Sequence, residues 1–425
     1  MRIGFNCPPV PGHLYPMIAL ARELQNRGHD VVFFTTSQTE PFAQAAGLQF
    51  FPIQEKYFRP DNAAERFTEL SNLQGEEAAY HAFQIMADAC RDLIEDGPRV
   101  IRSSKIEALV LDSLWRNLDL VAMHLEMPYV HAAFALHTDF TGYTPFFVYD
   151  WPYEDSAEAR VRNLEGLQKL APIFAPCDAV TREYVESVGL KINLNDPYAA
   201  FSRLAHITQT PREFDFPGEH WPPQFHYTGP LQDSKSRAPV DFPWERLTGE
   251  PLIYASMGTL NNGSETVYQT ILEATSTPGR QLVLSVGKNV DPSQFNAVSG
   301  NTIIVSQAPQ VQLLEQAALC ITHAGLNTTL EALSYGVPLV AIPVAADQPG
   351  VAARIAYTKV GKFIPMAELS ALRLRALIEE VWSNPMYREN AKRLGVAISN
   401  TNGLQLAADI TERSFGVGQP RTAAQ

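Results

Sequence analysis

Two apolar runs, 319–322 and 339–342, stand one predicted helix apart, and this spacing restricts the fold more than any other feature of the chain. Continuous apolar runs of this kind read as strands buried on both faces. Between them, His323, Ala324 and Gly325 read as a turn and Asn327 as the N-cap of a helix reaching about Tyr335, with Gly336 and Pro338 as its stop. A strand, a helix and a second strand make a βαβ unit, so the sheet is expected to be parallel. Ligands of such sheets collect at the carboxyl ends of the strands.

The predicted helix start concentrates polar chemistry. Its unpaired N–H groups and dipole suit an anion such as a diphosphate. Gly325 permits close backbone approach, and beyond Leu326 the residues Asn327, Thr328 and Thr329 offer short donors. Glu331 lies one turn past Asn327 on the same side, where a carboxylate accepts two vicinal hydroxyls such as those of a ribose. Asp347 and Gln348 follow the second strand, and a carboxylate beside an amide suits sugar hydroxyls. Singly, each has a plainer use: Asn and Thr cap helices, a turn histidine such as His323 is often structural, and Asp347-Gln348 reads as a solvated loop. In combination they read as a nucleotide-sugar clamp. The run H-A-G-x-N-T-x-x-E-A, then G-V-P-L, then D-Q resembles the donor-binding signature of the family 1 UDP-dependent glycosyltransferases.

The chain has 425 residues, enough for about two to three domains on length alone. Its formal charge of −13 disfavours nucleic acid and anionic lipid surfaces as partners. No apolar run approaches the roughly 20 residues of a membrane span, which leaves transient membrane contact only. Met1-Arg2-Ile3-Gly4-Phe5 opens a strand and not a signal peptide, so a cytoplasmic protein is expected. Cys7, Cys90, Cys177 and Cys320 have no C-x-x-C spacing and read as small core residues, with neither zinc nor disulfides indicated.

The N-terminal half begins its own α/β pattern: strand 3–7, loop 8–15, helix 16–26 opening on Pro16, a stop at Gly28 and strand 30–36. The loop holds one glycine, Gly12, and no G-x-G-x-x-G, so no dinucleotide cofactor is indicated. It also holds His13. Asp112 ends the apolar run 108–111 and lies at the same carboxyl edge. A histidine held by a carboxylate serves as a general base, although a loop histidine and a strand-end aspartate are more often structural. The stretch 137–153 is dense in aromatics and broken by Gly142, Pro145 and Pro152, which predicts a loop. Its Phe140, Tyr143, Phe146 and Phe147, with Trp115 and Phe134 before it, are equally candidates for loop packing and for an apolar acceptor pocket. Residues 231–250 are polar, proline-containing and aperiodic, as expected of a linker. After strand 252–256, ending at Ser256, a loop places Gly258 and Thr259 where they reach a diphosphate from the other side.

The resemblance covers nearly the whole chain. The stretches PREFDFPGEHWPPQFHYTGPL, YASMGTL and ADQPGVAARIAYTKVGK resemble the zeaxanthin glucosyltransferase branch, with the macrolide glycosyltransferases next. It implies an α/β GT-B fold: two facing Rossmann-like domains with parallel sheets, one of 1–230 for acceptor and one of 251–400 for donor. Residues 231–250 then form the linker, 401–415 a helix crossing back to the first domain, and 416–425 a tail. It also implies an inverting, metal-free transfer of glucose from UDP-glucose to a lipophilic hydroxylated acceptor, with no cofactor. In this frame His13 is the base and Asp112 its orienting partner. Gly12, Ser256, Gly258, Thr259, Gln307, Ala308, Gln310, His323, Gly325, Leu326, Asn327, Thr328, Glu331, Asp347 and Gln348 meet the donor. The chain departs from the family in two places: Gln307 stands where much of the family stacks a tryptophan on uracil, and Leu326 where plant members have tryptophan. A nucleotide-sugar epimerase on the same fold would want extra carboxylates in the cleft, and a catalytically silent binding protein would lack the His–Asp pair.

Overall fold

The computed structural model describes residues 1–54, 56, 75–114, 116–218, 220–233, 240–258, 265–288, 290–295 and 301–417. Two sheets carry the chain in sequence. The first comprises β1 (Arg2–Asn6), β2 (Asp30–Thr35), β3 (Gln49–Pro52), β4 (Ala108–Asp112), β5 (Tyr129–Ala133), β6 (His206–Thr208) and β7 (Phe225–Tyr227), in the order β3-β2-β1-β4-β5-β6-β7. The second comprises β8 (Leu252–Ser256), β9 (Gln281–Ser285), β10 (Thr302–Val305), β11 (Ala317–Thr322), β12 (Leu339–Ala341) and β13 (Gly361–Phe363), in the order β10-β9-β8-β11-β12-β13.

Every pairing is parallel, so each sheet needs helical crossovers and is covered on both faces. Successive strand residues supply the two faces in turn. Phe5, Val110 and Val130 enter one core of the first sheet, while Leu109 and Leu111 enter the other. Tyr254 and Cys320 enter one core of the second sheet, while Ile253, Ala255 and Ile321 enter the other. Full burial of a side chain such as Phe5 stabilises by roughly 1.5–3 kcal/mol. Strand order reverses between β1 and β4 in one sheet and between β8 and β11 in the other, and a crevice opens at each reversal.

Some boundaries differ from the sequence expectation. The first helix is Pro11–Asn26, with Pro11 at its start and Pro16 inside it. A proline in the first helical position loses no hydrogen bond, and Pro11 fills that role in place of Pro16. His13 therefore stands in the first turn of a helix and not in a loop. The helix after β11 is Leu326–Ser334 and its N-cap is Gly325, not Asn327. Helix Gly75–Ser103 holds Pro98 inside it. Helix Ala157–Val188 was not legible because Pro172 and Pro176 interrupt its pattern, although Ser156 caps it by accepting from the Ala159 amide at 3.1 Å. Helix Pro385–Thr401 also escaped the reading.

Helix Gly403–Ser414 lies on helix Pro11–Asn26, placing Ala407, Ala408 and Ile410 in a core of the first sheet. Arg27 adds bonds to Asp409 at 2.6 Å and Glu412 at 2.8 Å. Such partly exposed pairs contribute about 0–1 kcal/mol each, so the apolar contact dominates. Deeper ties also join the halves. The Arg354 Nε donates to Asp215 Oδ1 at 2.6 Å, Tyr227 Oη donates to Asp215 Oδ2 at 2.7 Å, and His137 Nε2 lies 2.9 Å from the same oxygen. Burial opposes ionisation of Asp215, but Arg354 and His137 hold its carboxyl well below the usual range.

Candidate active site

The first switch point carries His13 and Asp112. In the sheet register Asn6 pairs with Leu111, so the chain leaving β1 and the end of β4 lie side by side. His13 Nδ1 meets Asp112 Oδ2 at 2.7 Å, and Asp112 Oδ1 accepts the Leu114 amide at 2.9 Å. The Asp112 side chain has 0% exposure and that of His13 12%, so the carboxylate is sealed beneath an imidazole that keeps one edge accessible. Burial disfavours the His13 cation, but the charge and hydrogen bond of Asp112, with the charge of Asp347, outweigh it and raise the pKa above 6.5. Phe134 meets the ring edge-on, with centroids 6.4 Å apart.

The second switch point carries His323 and two glycines. Ser256 pairs with Thr322, which brings the turn after β8 against the turn after β11. A Cβ on Gly258 would stand 2.6 Å from His323 Cε1, and one on Gly325 would collide with His323 Nε2. Glycine is required at both positions, and at Gly258 also because φ is +77°. Ala324, between His323 and Gly325, holds φ at +64°, a strained value for a residue with a side chain. Burial lowers the His323 pKa to about 4 against the opposing pull of the Ser256 backbone, so the ring is neutral at physiological pH.

Gln310 joins three elements of this lobe. Its Nε2 donates to Glu331 Oε2 at 2.6 Å and to Thr328 Oγ1 at 3.3 Å, and its Oε1 accepts from Tyr254 Oη at 3.1 Å. Glu331 is buried, Gln307 is exposed, and Ala308 packs on the core. Leu326 is buried at the first position of its helix. Asp347 is the N-cap residue of helix Gln348–Tyr357, and its Oδ2 accepts the Leu136 amide of the first half at 3.0 Å. Gln348 Oε1 accepts the amides of Val344 and Ala345 at 2.8 and 3.0 Å, so that end of the side chain braces its own loop. Asn327 turns toward the first half, where Gly12 and Gln209 engage both ends of its amide. Thr259 and Trp115 lie outside the described residues.

Residues 12–400 match the profile of the family described as UDP-glucoronosyl and UDP-glucosyl transferase. The chain belongs to that family. A zeaxanthin glucosyltransferase of Pantoea ananas is 29% identical over 418 residues, covering 97% of this chain and 96% of the relative. The NDP-glycosyltransferase YjiC of Bacillus subtilis (strain 168) is 26% identical over 412 residues, covering 94% of each. Among solved structures, the calicheamicin glycosyltransferase CalG4 superposes with a TM-score of 0.76 at 20% identity, covering 99% of both chains. The protein is a glycosyltransferase of GT-B fold, as the sequence resemblance implied.

In this glycosyltransferase the aromatic residues divide. Phe134 is buried against His13, and Phe140 and Phe146 pack on each other with centroids 6.1 Å apart. Two candidates for the acceptor pocket point elsewhere. Tyr143 is exposed, stacked on His220 at 4.8 Å and covered by Arg160 at 4.2 Å, so its ring is held at the surface by a histidine and a cation. Phe147 packs on a core of the second sheet, and its carbonyl accepts the Gly350 amide at 2.8 Å. The aromatic loop thus also joins the two halves. Tyr254 and Gln209 are not among the site residues that the sequence suggests, since a strand tyrosine and a strand-end glutamine carry no local signal of a site. No described helix is long and apolar enough to cross a membrane.

Proposed function

We propose that the protein transfers glucose from UDP-glucose, with inversion and without a metal ion, to a hydroxyl of a lipophilic small molecule. The observation that carries this reading is the 2.7 Å contact between His13 and buried Asp112 at one switch point, facing a donor-type lobe at the other. The acceptor hydroxyl lies within reach of His13 Nε2 and gives up its proton there as its oxygen attacks the anomeric carbon from the face opposite UDP. Asp112 fixes the tautomer by accepting the Nδ1–H and stabilises the cation that forms. An α-linked donor then yields a β-glycoside.

The leaving diphosphate gathers negative charge at the start of helix Leu326–Ser334. The backbone N–H groups of that turn and the neutral His323 receive it, which supplies locally the positive potential that a divalent ion supplies elsewhere. Glu331, held by Gln310, takes the ribose hydroxyls. Asp347 and the amide of Gln348 take hydroxyls of the sugar. A lipophilic acceptor is supported by Phe134 beside His13 and by the zeaxanthin glucosyltransferase relative. Gln307 stands where much of the family stacks a tryptophan on the base, a contact worth about 1–3 kcal/mol in nucleic-acid binders, so either another ring takes that place or selectivity among nucleotide bases is relaxed.

The test is incubation with UDP-glucose and a panel of carotenoid, macrolide and phenolic alcohols, with and without EDTA, followed by product masses and the anomeric configuration. A gain of one hexose as the β-anomer, unaffected by EDTA, is expected. An α-product would overturn inversion, and loss of turnover with EDTA would overturn metal independence.

A further inference from the structure

Pro16 lies inside helix Pro11–Asn26 and has no N–H. In an α-helix the amide of a residue bonds the carbonyl four positions earlier, so the amide missing at position 16 leaves the Gly12 carbonyl without its usual partner. That carbonyl accepts instead from Asn327 Nδ2, at 2.7 Å, across the space between the two sheets' lobes. Asn327 Oδ1 accepts from Gln209 Nε2 at 2.8 Å, and the same Gln209 nitrogen donates to the Phe134 carbonyl at 2.7 Å.

Chemistry fixes the direction of this relay. The backbone oxygens of Gly12 and Phe134 only accept, so each amide must turn its nitrogen to them, which leaves the Asn327 oxygen facing Gln209. The relay begins and ends beside the base: Gly12 precedes His13 in the chain, and the Phe134 ring meets the His13 ring. Of its two side chains, Asn327 stands in the first turn of the helix to which the leaving diphosphate is assigned.

We propose that Pro16 is a positioning residue for transfer: by withholding an amide it keeps the Gly12 carbonyl open to Asn327, and so sets the turn bearing His13 at a fixed distance from the donor lobe. This inference rests on the reading of His13 as the base. Any other residue at position 16 restores the N–H, and a helical bond to Gly12 then shares that carbonyl and draws it along the helix axis, away from Asn327. Alanine fits a helix interior and should fold normally.

Pro16→Ala and Pro16→Ser share the restored amide and little else, so both are measured. Misplacement of a reacting group costs about 10²-fold per ångström, so a kcat loss of about tenfold or more is expected in each, with UDP affinity by calorimetry kept within about twofold. In an Asn327→Ala background, replacing Pro16 should cost nothing further in kcat. Wild-type kcat in both variants overturns the proposal, as does an undiminished Pro16 effect when Asn327 is absent. His13→Ala is run alongside: retained transfer there removes the base assignment, while the coupling between Pro16 and Asn327 is still read from kcat on its own.

Discussion

The two switch points use the same topology for opposite electrostatic ends. At β1/β4 a histidine touches a buried carboxylate, and its pKa is raised above 6.5. At β8/β11 a histidine is enclosed by glycines, and its pKa is lowered to about 4. Carboxylates decide the difference, Asp112 first and Asp347 behind it. Both rings are largely desolvated, which favours the neutral form, but only His13 has a carboxylate close enough to reverse that preference. In the proposed mechanism the ring that takes a proton needs a stabilised cation, whereas the ring assigned to the diphosphate needs an N–H that persists at all working pH values.

Removing the proposed proton acceptor should break the comparison most severely. We expect His13→Ala to lower transfer by about 10²–10⁴-fold while UDP still binds. Near-normal turnover on ordinary alcohols would assign the base elsewhere. Asp112→Asn comes next, with a loss of about 10²-fold, and its pH profile carries more information than its size. His13 must be neutral to accept a proton, so kcat/KM rises with pH through the His13 pKa, with a midpoint above 6.5. Losing the carboxylate removes the charge and hydrogen bond that do most to raise that pKa, and leaves only the charge of Asp347 against the burial that lowers it. The midpoint should therefore fall, and a midpoint that stays in place would exclude Asp112 as the partner. His323 should contribute no titration between pH 5 and 8 in either variant.

At the other switch point, Gly258→Ala forces a side chain into the His323 ring at a backbone φ of +77°. Strain of this kind costs about 1–3 kcal/mol, part of which appears as weaker UDP binding. The His13 limb of the pH profile should not move. If calorimetry gives an unchanged UDP affinity, the glycine pair serves folding alone and the contrast between the switch points loses its functional meaning.

The parallel sheets and their carboxyl edges were legible because buried strands and helix stops leave period and punctuation in the chain: the runs ending at Asp112 and Thr322 lie within or beside their strands. His13 and Asp112 were legible as candidates, but their contact was not, since 99 positions separate them and only the sheet register joins them. The start of the first helix was misread because two prolines competed for one role. Asn327 was read through its own helix, whereas its hydrogen bonds run to Gly12 and Gln209 in the other half, a relation that no local pattern records. The same holds for Arg354 and Asp215, whose pairing depends on how the halves meet.

The smallest effect concerns Glu331, and it separates binding from bracing. Its Oε2 accepts from Gln310 Nε2 at 2.6 Å, so Glu331→Ala removes the proposed ribose acceptor and also frees Gln310, and a simple loss of UDP affinity would fit either role. The two roles diverge when the ligand changes instead of the protein. A carboxylate that accepts from the ribose distinguishes UDP from 2′-deoxy-UDP by about 1 kcal/mol, the net contribution of one hydrogen bond. A carboxylate that only braces Gln310 weakens both ligands equally. We expect the wild-type protein to prefer UDP about fivefold and Glu331→Ala to lose that preference, with both affinities measured by calorimetry. A preference that survives the substitution would move the ribose contact off Glu331 and leave it as the residue that holds Gln310 against Tyr254 and Thr328.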